Sequence, residues 1–205
     1  MADALTADSP PAVAARSGAI ILARHGEPAI SRRVRLSSRE YRDFWAKYET
    51  LGIRGGQTPP PELSRYGANA GSVIASTRLR SIETAEAVTG GRAFARDPLF
   101  IEAPLPPPNF PAWLKLSPSV WGFIARFWWW FFNHHEGQET RAEATARAAQ
   151  AANLLEEMAA GGEDVLVLAH GFFNFMIGRE LMRRGWRMAA NQGYKYWSNR
   201  RFVRS

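Results

Sequence analysis

The sequence predicts an α/β domain, a three-layer α/β/α sandwich around a mostly parallel central sheet, and three observations predict it. Ala19-Ile20-Ile21-Leu22-Ala23 is an unbroken apolar run of strand length that ends in Arg24-His25-Gly26-Glu27. Val165-Leu166-Val167-Leu168-Ala169 repeats the plan and ends in His170-Gly171. Between the two, several segments carry helix-start signals followed by apolar residues at helical spacing. Apolar runs without alternation suit strands buried on both faces, as in a parallel sheet covered by helices. Ligands of such sheets bind at the carboxyl ends of the strands, so both histidines are expected on one edge.

Composition narrows the classes. At 205 residues and 46% hydrophobic content, one domain with a full core is expected. The absence of cysteine excludes disulfides, thiolate zinc sites and a cysteine nucleophile. Lys and Arg number 26 against 19 Asp and Glu, a net charge of +7. That balance suits an anionic ligand, and equally nucleic acid or an acidic membrane surface.

In chain order, residues 1–18 are rich in Ala, Ser, Asp and Pro and lack the apolar core of a secretory signal. They read as a mobile leader to a single domain over 19–205, with a cytoplasmic location expected; Arg16 among alanines keeps a transit-peptide alternative open. After the first strand, Arg32, Arg33 and Arg35 form a basic loop. Ser37-Ser38-Arg39-Glu40 has the form of a capping box. The helix behind it sets Tyr41, Phe44, Trp45 and Tyr48 on one face, which reads as core. Leu63-Ser64 opens a short helix, Val73-Ile74-Ala75 a strand, and Ser81 to Thr89 a helix closed by Gly90-Gly91. Leu99-Phe100-Ile101 is an apolar run ending in Glu102. The prolines from Pro104 to Pro111 forbid regular structure and predict a rigid exposed loop.

Ser117-Pro118 is a helix start, proline suiting the first turn. It opens an aromatic helical insertion around 112–136 that contains Trp121, Phe123, Phe127, Trp128, Trp129, Trp130, Phe131 and Phe132. Helical spacing puts Trp121, Ile124 and Trp128 on one face and Trp129, Trp130 and Phe127 elsewhere, so one core-facing stripe cannot hide them all. Core packing, a lid over the catalytic edge, and a membrane contact through Trp128–Phe132 or a homodimer contact are the alternatives. His134-His135-Glu136 reads as a solvated loop, since adjacent histidines rarely converge on one ion, and no metal ligand set is assigned. Thr140 to Ala160 is an alanine-rich helix, and Phe172 to Arg184 another. The tail from Gly193 is aromatic and basic.

These residues resemble a known pattern. Arg24-His25-Gly26-Glu27 is similar to the signature of the histidine phosphatase superfamily, which includes the cofactor-dependent phosphoglycerate mutases. Leu63-Ser64-Arg65-Tyr66-Gly67, Ser76 through Ala85, Glu102 and His170-Gly171 match in the family's order, over roughly residues 19–185. Four ordered matches at three strand ends are far more specific than one tripeptide. The resemblance implies a phosphoglycerate mutase-like fold. It also implies a nucleophile at His25, a proton donor at Glu102, a second histidine at His170, and phosphate contacts from Arg24, Arg80, His170 and Gly171. Ser31 sits where many members have Asn, a further phosphate contact. Arg80 rather than Arg78 takes the family's arginine position, given Thr84-Ala85 downstream, and Glu27 is the alternative acid.

The chemistry agrees with that assignment. A neutral imidazole is a good nucleophile near neutral pH and can carry a phosphoryl group. Catalysis of phosphoryl transfer is mostly positioning and electrostatic stabilisation, which planar guanidinium forks supply. A metal-independent phosphomonoesterase with no cofactor is expected, its partner a small-molecule phosphate ester and not nucleic acid. A phosphoglycerate-type mutase and a non-catalytic phosphate-binding module are the alternatives.

Overall fold

The structure, a computed structural model, describes residues 17–204. The leader reading therefore lies outside the described residues, save for Ser17 and Gly18; the Gly18 amide already docks, donating to the Ala159 carbonyl at 2.8 Å. The elements are β1 (Ile20–Arg24), α1 (Ser38–Thr50), α2 (Pro61–Asn69), β2 (Ser72–Ala75), α3 (Leu79–Thr89) and β3 (Ala95–Arg96). There follow α4 (Pro118–Phe132), α5 (Arg141–Ala159), β4 (Val165–Ala169), α6 (Gly171–Arg183), β5 (Arg187–Asn191) and β6 (Asn199–Val203).

One sheet runs in the order β3-β2-β4-β1-β6-β5. Its first four strands are parallel; beyond β1, β6 runs antiparallel to β1, and β5 runs antiparallel to β6. Alternation along the strands sends Ile20, Leu22, Val165 and Val167 into a core with α5, α6 and Trp129 of α4. Ile21, Ala23, Leu166 and Leu168 pack on the other side with residues of α2 and α3. The expected three-layer arrangement is thus present. Register fixes the functional edge: Arg24 lies opposite Ala169, and Ala75 opposite Leu168. His25, His170 and Ser76, each the next residue, leave the sheet side by side.

Local signals hold the helices where the sequence put them. Ser37 and Glu40 close a reciprocal capping box on α1, with the Ser37 amide donating to Glu40 at 2.7 Å. Thr140 and Glu143 do the same for α5. Ser117 caps α4, and Gly90 ends α3 in the left-handed conformation at φ 61°.

Three features differ from expectation. The proline segment has no regular structure, as foreseen, but it is exposed only toward its far end, at Asn109 and Pro111, while Leu105 through Pro108 are buried. Proline brings no amide N–H, so burying it leaves fewer donors unsatisfied. Arg147 satisfies carbonyls just upstream, donating to Leu99 and Ile101 at 2.8 and 2.9 Å. The aromatic and basic tail, for which no strand was foreseen, supplies β6, which pairs directly with β1. Finally, the buried stripe of α4 is Trp121, Gly122, Ala125 and Trp129, not Trp121, Ile124 and Trp128. The two small residues let α4 approach its neighbours closely, and both indoles find acceptors: Trp121 donates to Leu36 O at 2.6 Å, Trp129 to Glu139 O at 3.0 Å. Phe123, Phe127, Phe131 and Phe132 face outward instead.

Candidate active site

His25 is the first residue past β1 and is buried. Its Nδ1 lies 2.7 Å from the Gly26 carbonyl oxygen, which can only accept, so Nδ1 carries the proton and Nε2 keeps a free lone pair. Burial and then the Arg80 and Arg24 guanidinium charges hold its pKa well below 6.5. The imidazole is therefore neutral and nucleophilic at physiological pH. Gly26 is required sterically: a Cβ there would lie 2.5 Å from the Trp197 ring. Its amide donates to Thr84 Oγ1 at 2.9 Å, which ties the His25 turn to α3.

His170 stands 5.2 Å from His25 between ring centroids, edge to face. Arg80 has only donors, so His170 Nδ1 accepts from Arg80 Nη2 at 3.3 Å, and Nε2–H donates to Ser76 Oγ at 2.8 Å. Burial, then Arg80 and His25, keep this imidazole neutral too. Arg24 donates through Nη1 to the Tyr194 carbonyl at 2.6 Å, and its guanidinium lies 4.3 Å over the Tyr196 ring. Gly171, where a Cβ would stand 3.3 Å from Arg24 Cδ, leaves room for that stem.

Arg80 is completely buried, whereas Arg78 keeps 38% of its side chain exposed. Arg80 is thus the arginine that reaches the histidines. Its Nη1 donates to the Tyr48 and Glu49 carbonyls, and its Nη2 to Glu49 Oε1 at 2.7 Å and to His170. Glu49 Oε2 also pairs with Arg78 at 2.9 Å. Around His25, the Nε atoms of Arg24, Arg32 and Arg80 and the Tyr196 hydroxyl are buried without a protein partner. Tyr196 lies 5.6 Å from His25 and its pKa is pushed up to about 12 by burial. Unsatisfied buried donors are costly in isolation, and a cluster of them beside a nucleophile matches the oxygens of a phosphoryl group.

Glu102 is held at the start of α6, immediately after His170-Gly171. Its carboxylate accepts from the amides of Phe173 at 2.8 Å and Phe172 at 3.3 Å. It lines a cavity together with Arg78, Arg147 and Glu49, the carboxylate that also holds Arg80. Two sequence-assigned residues have other partners. Ser31 is exposed, and its Oγ accepts from the Arg33 amide at 3.2 Å. Glu27, the alternative acid, pairs with Arg54 at 2.9 Å on the surface. Glu136 is likewise occupied, pairing with Arg42 and His134. Sequence reasoning missed Ser76, Tyr48, Glu49 and Tyr196 as members of the site. Ser76 sat in a quoted motif, and Tyr48 lay on a noted aromatic face. Nothing local marked Glu49.

The fold and site bring two neutral histidines and two guanidinium groups together at one sheet edge, an arrangement suited to a phosphate ligand. The profile of the histidine phosphatase superfamily (branch 1) matches residues 20–198. The chain belongs to that superfamily and is a phosphatase. Among solved structures it is similar to mycobacterial hydrolase 1, with TM-score 0.54 and 17% identity over 82% of this chain and 79% of that one. It is also similar to a phosphoserine phosphatase from Entamoeba histolytica, with TM-score 0.52 and 13% identity over 81% and 80% of the two chains. A mycobacterial glucosyl-3-phosphoglycerate phosphatase gives TM-score 0.50 and 17% identity over 82% and 81%. No curated protein matches the chain significantly.

Proposed function

We propose that the chain hydrolyses a small phosphate monoester through a phosphohistidine at His25, without a metal ion. The single observation that carries this is the free Nε2 lone pair of a neutral, buried His25 facing unsatisfied arginine donors. In the first step Nε2 bonds to phosphorus as the ester P–O bond breaks, and Glu102 gives its proton to the leaving alkoxide. In the second, water bonds to phosphorus, the P–N bond breaks and Glu102 takes a proton from the water. Arg24 and Arg80 stabilise the charge spread over the transferring oxygens. His170 and Ser76 hold Arg80 in place. The structural neighbours named for phosphoserine and glucosyl-3-phosphoglycerate act on small monoesters, which favours the same class here.

The test is hydrolysis of an aryl phosphate by the purified chain in excess chelator, with rapid-quench labelling. An acid-labile, base-stable adduct that His25→Ala abolishes is expected. Chelator-sensitive activity restored by a divalent ion would overturn the metal-free step. Transfer of the phosphoryl group to the hydroxyl of an added sugar acid, instead of release as inorganic phosphate, would favour a mutase. Phosphate binding without any turnover would favour a non-catalytic module.

A further inference from the structure

Beside the histidines, a cavity of about 410 Å³ opens between α1, α4 and α6. Arg24 and Gly171 form its catalytic end, and Tyr41, Trp45, Phe172 and Phe175 are among its walls. Such a chamber suits a flat, largely apolar body, because aromatic walls gain from stacking as well as burial. Two further cations line it, Arg32 and Arg126. Among the described residues neither forms an ion pair, whereas Arg42, Arg147 and Arg184, also partly buried, all do.

Arg126 is held for this position. Its Nη1 donates to the Gly122 carbonyl one turn back at 2.9 Å, and its guanidinium lies 5.6 Å over the Phe172 ring. Gly122 sits inside a helix, where glycine is unfavourable. A Cβ there would meet Arg126 Nη1 at 3.0 Å and the Tyr41 hydroxyl at 3.4 Å. The missing side chain thus keeps both the guanidinium and the chamber open. Arg32 lies nearer the histidines, 5.3 Å over the Tyr48 ring and 5.6 Å over the Tyr196 ring, with a buried Nε that has no partner. A phosphoryl group at His25 draws on Arg24, Arg80 and the Arg32 Nε, which leaves the whole of Arg126 and the outer nitrogens of Arg32 facing the leaving group.

We propose that the chamber binds the leaving group and that Arg126, seconded by Arg32, reads a second acidic function on it. The substrate class is then a phosphate monoester of an aromatic alcohol that also carries a carboxylate or comparable anion. This rests on the phosphatase reading. A guanidinium over an aromatic face, with its outer edge free, matches a carboxylate in plane and in charge.

The experiment compares phenyl phosphate, 4-carboxyphenyl phosphate and its neutral carboxamide analogue, scored as ratios so that any general loss cancels. The wild-type chain should favour the carboxylate over the carboxamide by roughly tenfold or more, mainly through KM. Arg126→Gln should bring that ratio to about one, and Arg126→Lys should restore part of it, since a charge without the fork remains. Raised salt should erode the wild-type ratio. A wild-type ratio near one alongside normal turnover of phenyl phosphate would overturn the subsite and leave the phosphatase reading standing. So would a ratio that Arg126→Gln does not change. No turnover of any of the three esters would overturn both.

Discussion

Glu49→Gln is the most informative single change in this site. Arg80 has five N–H donors, of which four are engaged: two on the Tyr48 and Glu49 carbonyls, one on Glu49 Oε1 and one on His170 Nδ1. Only Nε is left. A phosphoryl oxygen pair meeting the guanidinium edgewise must take an Nη2 hydrogen from Glu49 or His170. Glu49 is thus a competitor for the substrate's own site, and it also neutralises a wholly buried cation. Its loss should therefore have opposite effects on stability and affinity. Removing one partner of a buried pair costs about 3–5 kcal/mol, and glutamine keeps a neutral hydrogen bond, so about 1–3 kcal/mol is expected. At about 2–4 °C per kcal/mol for a domain of this size, the melting temperature should fall by roughly 2–12 °C. Exchanging a charge-assisted bond for a neutral one weakens the competitor by about 1 kcal/mol, so orthovanadate should inhibit at about fivefold lower concentration. Thermal melts with and without phosphate, beside vanadate inhibition curves, measure both. If vanadate binds more weakly to Glu49→Gln, Glu49 helps to hold the anion and the competition argument fails.

Other outcomes follow from the same geometry. Glu102→Gln should slow alkyl phosphates by about 10²-fold while sparing activated aryl esters, because only the former need a proton; equal losses would make Glu102 merely a cap for α6. His25 and His170 stay unprotonated in the folded state, by burial first and Arg80 second, while the unfolded chain takes up protons below about 6.5. Stability should be full above that pH and fall below it toward the depressed folded values, by up to about 2.7 kcal/mol per pH unit for the pair; denaturant midpoints at pH 7.5, 6 and 5 test this, and an unchanged midpoint refutes it. Trp129→Ala should cost about 3–5 kcal/mol, since that indole is wholly buried, whereas Phe131→Ser on the outward face should stay within about 0.5 kcal/mol. Calorimetry that finds the two alike would contradict the assigned seam.

Much of the sheet and both histidines were legible because a doubly buried strand is an unbroken apolar word and its end is abrupt. The capping boxes were legible for a similar reason, as short local chemistry. Residues 187–203 were not: Arg187–Asn191 is an edge strand with polar and half-exposed positions, and Asn199–Val203 begins with Asn-Arg-Arg. Its burial comes from lying between β1 and β5, which no local pattern states. In α4, the large aromatics drew attention from Gly122 and Ala125, yet close helix contact is set by the smallest side chains. Glu49 was invisible for a different reason: a glutamate near a helix end is ordinary until tertiary contact places two arginines on it.

The position of β6 has a temporal side. β1 leaves the ribosome well before either of its partners, residues 165–169 and 199–203. Until both have emerged, Ile20 to Leu22 have nothing to pair with and remain a sticky, unsatisfied segment. The Arg24 amide waits for the Ser198 carbonyl, and the Arg24 guanidinium for Tyr194. Such distant closure makes folding slow relative to a helical bundle. It also means that no partly synthesised chain holds an assembled nucleophile: acquisition of activity should be abrupt, coming only when residues 194–203 dock, and a nascent chain should neither bind nor split phosphate esters prematurely.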